Sequence, residues 1–225
     1  MAGKAATKAA PAIKLVENPP AEPTTTDYGR VEPPDWGTVA IIGGGPSLID
    51  FDFERMRGAT ILAVKRTIFA IPWADAGFGM DMARYGEWRD KLAAVPARIY
   101  WAAHDGQLDP APPSNVTFLH RREGREVSTN PGAVYSGGTS GFGALQVALL
   151  KRAKRIVLFG FDYGGAGEPD QRRARNWLIW AEQFRVFVPH LSGAGVDIIN
   201  ACPHSAISCF QKASLDDGVR ALTRP

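Results

Sequence analysis

From Trp36 onward the chain alternates between short unbroken apolar runs and longer stretches of helical period. Thr38-Val39-Ala40-Ile41-Ile42 is a continuous β-prone run that stops at Gly43-Gly44-Gly45, the pattern of a strand buried on both faces. Comparable runs predict strands at Thr60–Val64, Arg98–Ala102, Val116–His120, Arg155–Phe161 and Val196–Ala201. Helices are predicted over Met82–Ala93, Gly141–Arg152 and Arg172–Leu191. In the second of these, Phe142, Leu145 and Leu149 share a face, while Lys151, Arg152 and Lys154 gather where the helix dipole favours cations. Strands alternating with helices predict an α/β fold, a Rossmann-like sandwich with a mostly parallel sheet.

Residues 1–35 break this pattern. They hold six of the chain's 17 prolines and the run Thr24-Thr25-Thr26, and they read as an extended or disordered arm ahead of one domain at 36–225. Four basic residues against five acidic ones give the arm no nucleic-acid-binding character. Its apolar residues Ile13, Leu15, Val16 and Tyr28 are the expected anchors for a protein partner. The length of 225 residues fits one domain, and 45% hydrophobic with 22% charged residues excludes collagen, coiled coil and wholesale disorder. Apolar runs such as Ile156 to Phe161 are far shorter than the roughly 20 residues of a membrane span, so no membrane partner is expected. No secretory signal is read at the N-terminus, and Cys202 and Cys209 offer no disulfide framework; a cytoplasmic location is expected. A net charge of +3 permits an anionic small ligand but falls short of a dedicated nucleic-acid binder.

Three constellations carry candidate chemistry. Gly43-Gly44-Gly45-Pro46-Ser47-Leu48 follows a predicted strand; its backbone can turn sharply and approach a phosphate. With Leu48 at the last position the dinucleotide fingerprint is incomplete, and no phosphate-loop lysine ending is present, so a tight strand-exit turn explains it equally well. Ser136-Gly137-Gly138-Thr139-Ser140-Gly141 opens directly into a helix, where Thr139 or Ser140 can cap the helix or hold a phosphate. The predicted strand from Arg155 ends in Asp162 and Tyr163, at the carboxyl edge where ligands of open α/β sheets bind; a strand-end Asp capping its own loop is the plainer alternative.

These segments, with Lys-Arg-Ile-Val-Leu-Phe-Gly-Phe-Asp-Tyr and the later Asn200-Ala-Cys-Pro-His-Ser-Ala-Ile-Ser-Cys-Phe, resemble a single superfamily over residues 37–222. It comprises small bacterial sialyltransferases, phage-borne relatives, and archaeal 6-hydroxymethylpterin diphosphokinase-like proteins. The resemblance implies a Rossmann-like fold with a nucleotide or nucleotide-sugar partner, a CMP-sugar held by the first loop and by the Thr-Ser-Gly turn, and no metal or other cofactor. It implies nucleotide-binding roles for Gly43, Gly44, Gly45, Ser47, Lys65, Asp81, Thr139, Ser140, Gly141 and Tyr163. The chain departs from the pattern at Gly44 and Lys65, where relatives commonly carry asparagine. Lysine can pair with a phosphate but cannot accept a hydrogen bond from a base or ribose.

Relatives also place a histidine downstream of the strand that ends here at Tyr163, yet residues 164–175 contain none. His104, after a strand, and His204, in the Cys-Pro-His-Ser turn, are therefore the histidines weighed as general base, with Asp162 as the third catalytic candidate; a loop histidine more often caps or is solvated. Cys202, His204 and Cys209 match no recurrent zinc spacing. Trp177, Trp180, Phe184 and Phe187 recur along one helix face and read as core-facing or partner-facing rather than base-stacking. Arg121, Arg122 and Arg125 read as a solvated loop that with Lys65 could line an anion pocket. The function expected is that of a nucleotide- or nucleotide-sugar-binding protein of phage or prophage type, with glycosyl transfer as the activity if it is active. Two alternatives stand beside it: a degenerate copy serving as a structural component of a phage particle, and pyrophosphate transfer to a pterin with Mg²⁺ held by Asp81 and Asp162.

Overall fold

In the computed structural model, which describes residues 28–31, 34–164 and 171–223, the apolar runs become the centre of one parallel sheet. The strands are β1 (Thr38–Ile42), β2 (Thr60–Val64), β3 (Ala76–Gly79), β4 (Arg98–Ala103), β5 (Val116–Arg122), β6 (Ala133–Tyr135), β7 (Arg155–Phe159), β8 (Asp197–Asn200) and β9 (Gln211–Lys212). Their order is β6-β5-β4-β3-β2-β1-β7-β8-β9, and each neighbouring pair is parallel. The expected Rossmann-like α/β architecture is what the chain adopts. The sheet grows from β1 in both directions, so chain order reverses between β1 and β7.

Because side chains alternate across a strand, each buried run feeds two cores. Val39 and Ile41 of β1 face one, with Phe142, Phe184 and Phe187; Ala40 and Ile42 face the other, with Trp88, Leu92 and Trp101. The helices are α1 (Thr67–Ala70), α2 (Met82–Ala93), α3 (Ser140–Leu150), α4 (Gln171–Gln183), α5 (Val188–Ala194) and α6 (Leu215–Leu222). Every residue of α3 from Ser140 to Ala148 is buried, which accounts for its lack of a polar stripe. Within it Gln146 is fully buried and satisfies the backbone around it: Oε1 accepts from Ser128 N at 3.1 Å and Tyr135 N at 3.0 Å, and Nε2 donates to Tyr135 O at 2.8 Å.

Several elements differ from the sequence reading. The strand expected to reach Phe161 ends at Phe159, since Gly160 takes a φ of 69° and turns the chain. The long helix expected over Arg172–Leu191 is α4, then a 3-10 turn at Phe184–Phe187, then α5. Pro189, which cannot donate an N–H to a preceding turn, lies in the first turn of α5 and starts it afresh. Strands β3, β6 and β9 and helices α1 and α6 were not predicted; β3 reads Ala-Gly-Phe-Gly and β9 has two residues, too little β-propensity or length to register.

Residues 1–27, 32 and 33, including the expected anchors Ile13, Leu15 and Val16, lie outside the described residues. The remaining anchor, Tyr28, is seated on its own chain: it stacks on His120 at 4.9 Å, and its hydroxyl donates to Asp105 at 3.0 Å. Gly29 N donates to Phe118 O at 3.0 Å and Val31 is buried in the core. Residues 28–31 thus pack on the domain rather than precede it.

Candidate functional site

The loops leaving β1 and β7 are laced together at the point of strand reversal. Gly43 N donates to Phe159 O at 2.7 Å and Gly45 N to Gly160 O at 3.0 Å. The Asp162 carboxylate then takes both donors of Ser47, the backbone N at 3.2 Å and Oγ at 2.9 Å. Cys202 supports the junction from behind, accepting from Phe161 N at 3.3 Å and lying 3.5 Å from Ser47 Oγ; burial pushes its thiol pKa up. Glycine is required at position 45 because a Cβ there would stand 1.8 Å from Asp162 Oδ2 and 2.6 Å from Gly160 O. At Gly44, in contrast, a Cβ would meet nothing within 4 Å.

Lys65 follows β2 in the left-handed region, with φ 58°, a conformation that asparagine and glycine adopt more readily than lysine. Its Nζ lies 3.8 Å from Asp81 Oδ2. Asp81 also caps α2, accepting from Arg84 N at 3.3 Å. On the opposite wall Thr139 caps α3 through Phe142 N at 3.3 Å, and its hydroxyl shares a 2.8 Å hydrogen bond with the Tyr163 hydroxyl. Tyr163 also has a positive φ, 48°, and is buried, which holds its phenol protonated well above the usual tyrosine range. Trp180 covers Gly138, where φ is 75° and a Cβ would meet the indole Nε1 at 2.6 Å. Trp177 stands perpendicular to both Trp180 and Tyr163, at 5.2 and 5.5 Å between ring centres.

Together these elements enclose a crevice of about 1050 Å³ at the carboxyl edge of the sheet. Its described lining brings together Gly43, Gly44, Gly45, Lys65, Asp81, Thr139, Ser140, Gly141, Asp162 and Tyr163. Ser47 lies behind the wall as a brace. His104 and His204 are not in the lining, and no histidine is among the described residues there. His104 follows β4 and places Nε2 3.2 Å from Glu123; His204 sits exposed in the turn after β8. Asp162 lines the crevice and at the same time joins two loops, each of its oxygens accepting one hydrogen bond from Ser47.

The aromatic stripe read as core-facing or partner-facing packs on the core along its length: Phe184 and Phe187 are buried in it, and Trp177 and Trp180 lie against it while also lining the crevice, a role that their spacing alone does not signal. Arg121 also lines the crevice, with Gln107, Arg66 and Arg84. Of the three arginines that the sequence offered as partners of Lys65 in an anion pocket, Arg121 is in the described lining and Arg122 and Arg125 are not. Asp81 and Asp162 both line the crevice, and among the described residues no group of three His, Cys, Asp or Glu side chains could hold a metal ion.

The fold and site define a Rossmann-like α/β protein with a polar, glycine-edged crevice at the point where its parallel sheet reverses order. No family model matches the chain, and no curated protein matches it. Among solved structures it is similar to a mutant form of the alpha-2,3/8-sialyltransferase CstII, with 14% sequence identity and a TM-score of 0.43, over 79% of this chain and 86% of that one. So distant a likeness carries no argument about activity.

Proposed function

We propose that the crevice binds a nucleotide or nucleotide-sugar and that the protein transfers the glycosyl group to an acceptor hydroxyl. The observation that carries this reading is the convergence of the Gly43–Gly45 turn, Lys65 and the N-terminus of α3 on one crevice. The first N–H groups of a helix have no partner inside it, and the helix dipole favours an anion there. Thr139 and Ser140 hold the donor phosphate in this reading, with Lys65 offsetting its charge. Trp177 offers a flat apolar face to a base or sugar ring.

Glycosyl transfer needs little covalent help from protein. The acceptor oxygen bonds to the anomeric carbon, the bond from that carbon to the phosphate oxygen breaks, and the acceptor proton passes to a base. In this reading Asp81, a half-exposed carboxylate in the crevice, receives it. A second reading, binding without turnover, is favoured by the lack of a histidine among the described lining residues.

The test is thermal unfolding in the presence of CMP, CMP-sialic acid, UDP-sugars, and ATP with Mg²⁺. A nucleotide at 100 times its dissociation constant stabilises by roughly 2.7 kcal/mol. No shift with any of them would remove the proposal. A shift with no glycosyl release from the bound sugar nucleotide, over a panel of sugar acceptors, supports the second reading.

A further inference from the structure

The crevice makes more provision for negative charge than one phosphate uses. Of the four cations in its described lining, Arg84 is paired with Glu87, and Arg121 is held by Glu123 and by Met80 O. Lys65 lies 3.8 Å from Asp81, beyond hydrogen-bond distance, and the guanidinium of Arg66, next in sequence, has no acid beside it among the described residues. Both residues leave β2 beside the glycine turn. Ile42 of β1 is in register with Ala63 of β2, and that register carried two residues on sets Gly44 opposite Lys65, about 5 Å away at the usual strand spacing. Within the turn the N–H groups of Gly43 and Gly45 are taken by Phe159 O and Gly160 O, whereas the exposed Gly44 N has no hydrogen-bond partner among the described residues. The first turn of α3 is close by. A Cβ on Gly43 would stand 3.2 Å from the Phe161 ring and a Cβ on Gly141 2.8 Å from the same ring, so the glycine turn and the helix start are separated by about the width of that ring.

We propose that the ligand carries two adjacent phosphates, as a nucleoside 5′-diphosphate or its sugar does, with one phosphate at the Thr139–Gly141 turn and the other between Gly44 N and the Lys65-Arg66 pair. The inference rests on the nucleotide reading above and adds the ligand class, a diphosphate in place of a monophosphate. A glycine turn lets a phosphate oxygen approach the backbone N–H with no side chain in the way. Arginine meets a phosphate through two parallel hydrogen bonds, and lysine adds a point charge beside it. Two phosphates can also stand at different positions of one nucleoside, and the ligands compared below separate that case from the diphosphate.

Calorimetry on the full chain, in EDTA, compares UDP with UMP, CDP with CMP and ADP with AMP. For at least one base the diphosphate is expected to bind about tenfold or more tightly than the monophosphate, the size of a charge-assisted hydrogen bond. That ratio should collapse in Arg66→Gln, be partly kept in Arg66→Lys, and persist in Arg122→Gln, which removes a cation outside the described lining. Both ligands are measured on the same variant, so a general loss of fold does not imitate the result. The proposal is overturned if monophosphate and diphosphate bind equally, if the ratio survives Arg66→Gln, or if Arg122→Gln lowers it as far, which would make it an effect of net charge. Adenosine 3′,5′-bisphosphate binding as tightly as ADP overturns the diphosphate in favour of two separate phosphates. If none of these nucleotides binds, the nucleotide reading itself has failed; equal binding within each pair removes only the second phosphate.

Discussion

Asp162, Lys65 and Gly44 show how much one residue can carry at a sheet's carboxyl edge. Asp162 accepts two hydrogen bonds from Ser47, so Asp162→Ala leaves both donors without an acceptor. In a partly exposed place water replaces some of that loss, and a destabilisation of about 1–2 kcal/mol is expected by urea unfolding, with Asp162→Asn costing less. Lys65 has the opposite sign: Lys65→Asn suits a φ of 58° and is expected to stabilise by about 0.5–1 kcal/mol while weakening phosphate binding, since the charge beside the donor is lost. Gly44→Asn meets open space. It should leave the melting temperature nearly unchanged and tighten nucleotide binding by about 0.5–1.5 kcal/mol in calorimetry, the worth of one well-made hydrogen bond. Unchanged affinity there means that the loop touches neither base nor ribose.

At the scale of elements, α3 is the part on which the site depends. It supplies the Thr139–Gly141 turn at one end and is fixed to the β6 edge by Gln146. Replacing that side chain by leucine keeps the volume but leaves the N–H groups of Ser128 and Tyr135 unbonded in the interior. Gln146→Leu is expected to lower the unfolding free energy by about 2–4 kcal/mol, against a small effect for substitutions at exposed Leu178 on α4. Equal effects at the two positions in denaturant melts would show that the Gln146 bonds contribute nothing net.

For the whole molecule, three tyrosines couple the fold to alkaline pH. Tyr163 is raised by burial, and Tyr28 and Tyr85 by burial first and then by their bonds to Asp105 and Asp109. A phenol raised in the folded state contributes its stability fully below the unfolded value of about 10, and loses it as pH climbs through the folded value. Stability should therefore fall above about pH 10, and phenolate absorbance in the native protein should rise for only part of the five tyrosines until the chain unfolds. Five normal titrations in folded protein would contradict the burial of these rings.

What the sequence by itself determined is the alternation of buried strands with helices and the positions of its punctuation. β1, β2 and α2 begin and end where the apolar runs and helical period say, because burial on both faces of a parallel strand and capping at Asp81 are local facts. The Thr139 cap and the turn after β1 were legible for the same reason. Tertiary structure alone decided which of the candidates meet. Strand order put Lys65, Asp81 and Asp162 in one crevice and left His104 and His204, at the same carboxyl edge, outside its described lining. It also turned Asp162 toward Ser47, 115 positions earlier, and brought the two tryptophans of one aromatic stripe to the crevice wall. Those outcomes depend on pairings between strands far apart in the chain, whose register comes from packing on both faces of the sheet and leaves no trace in local spacing.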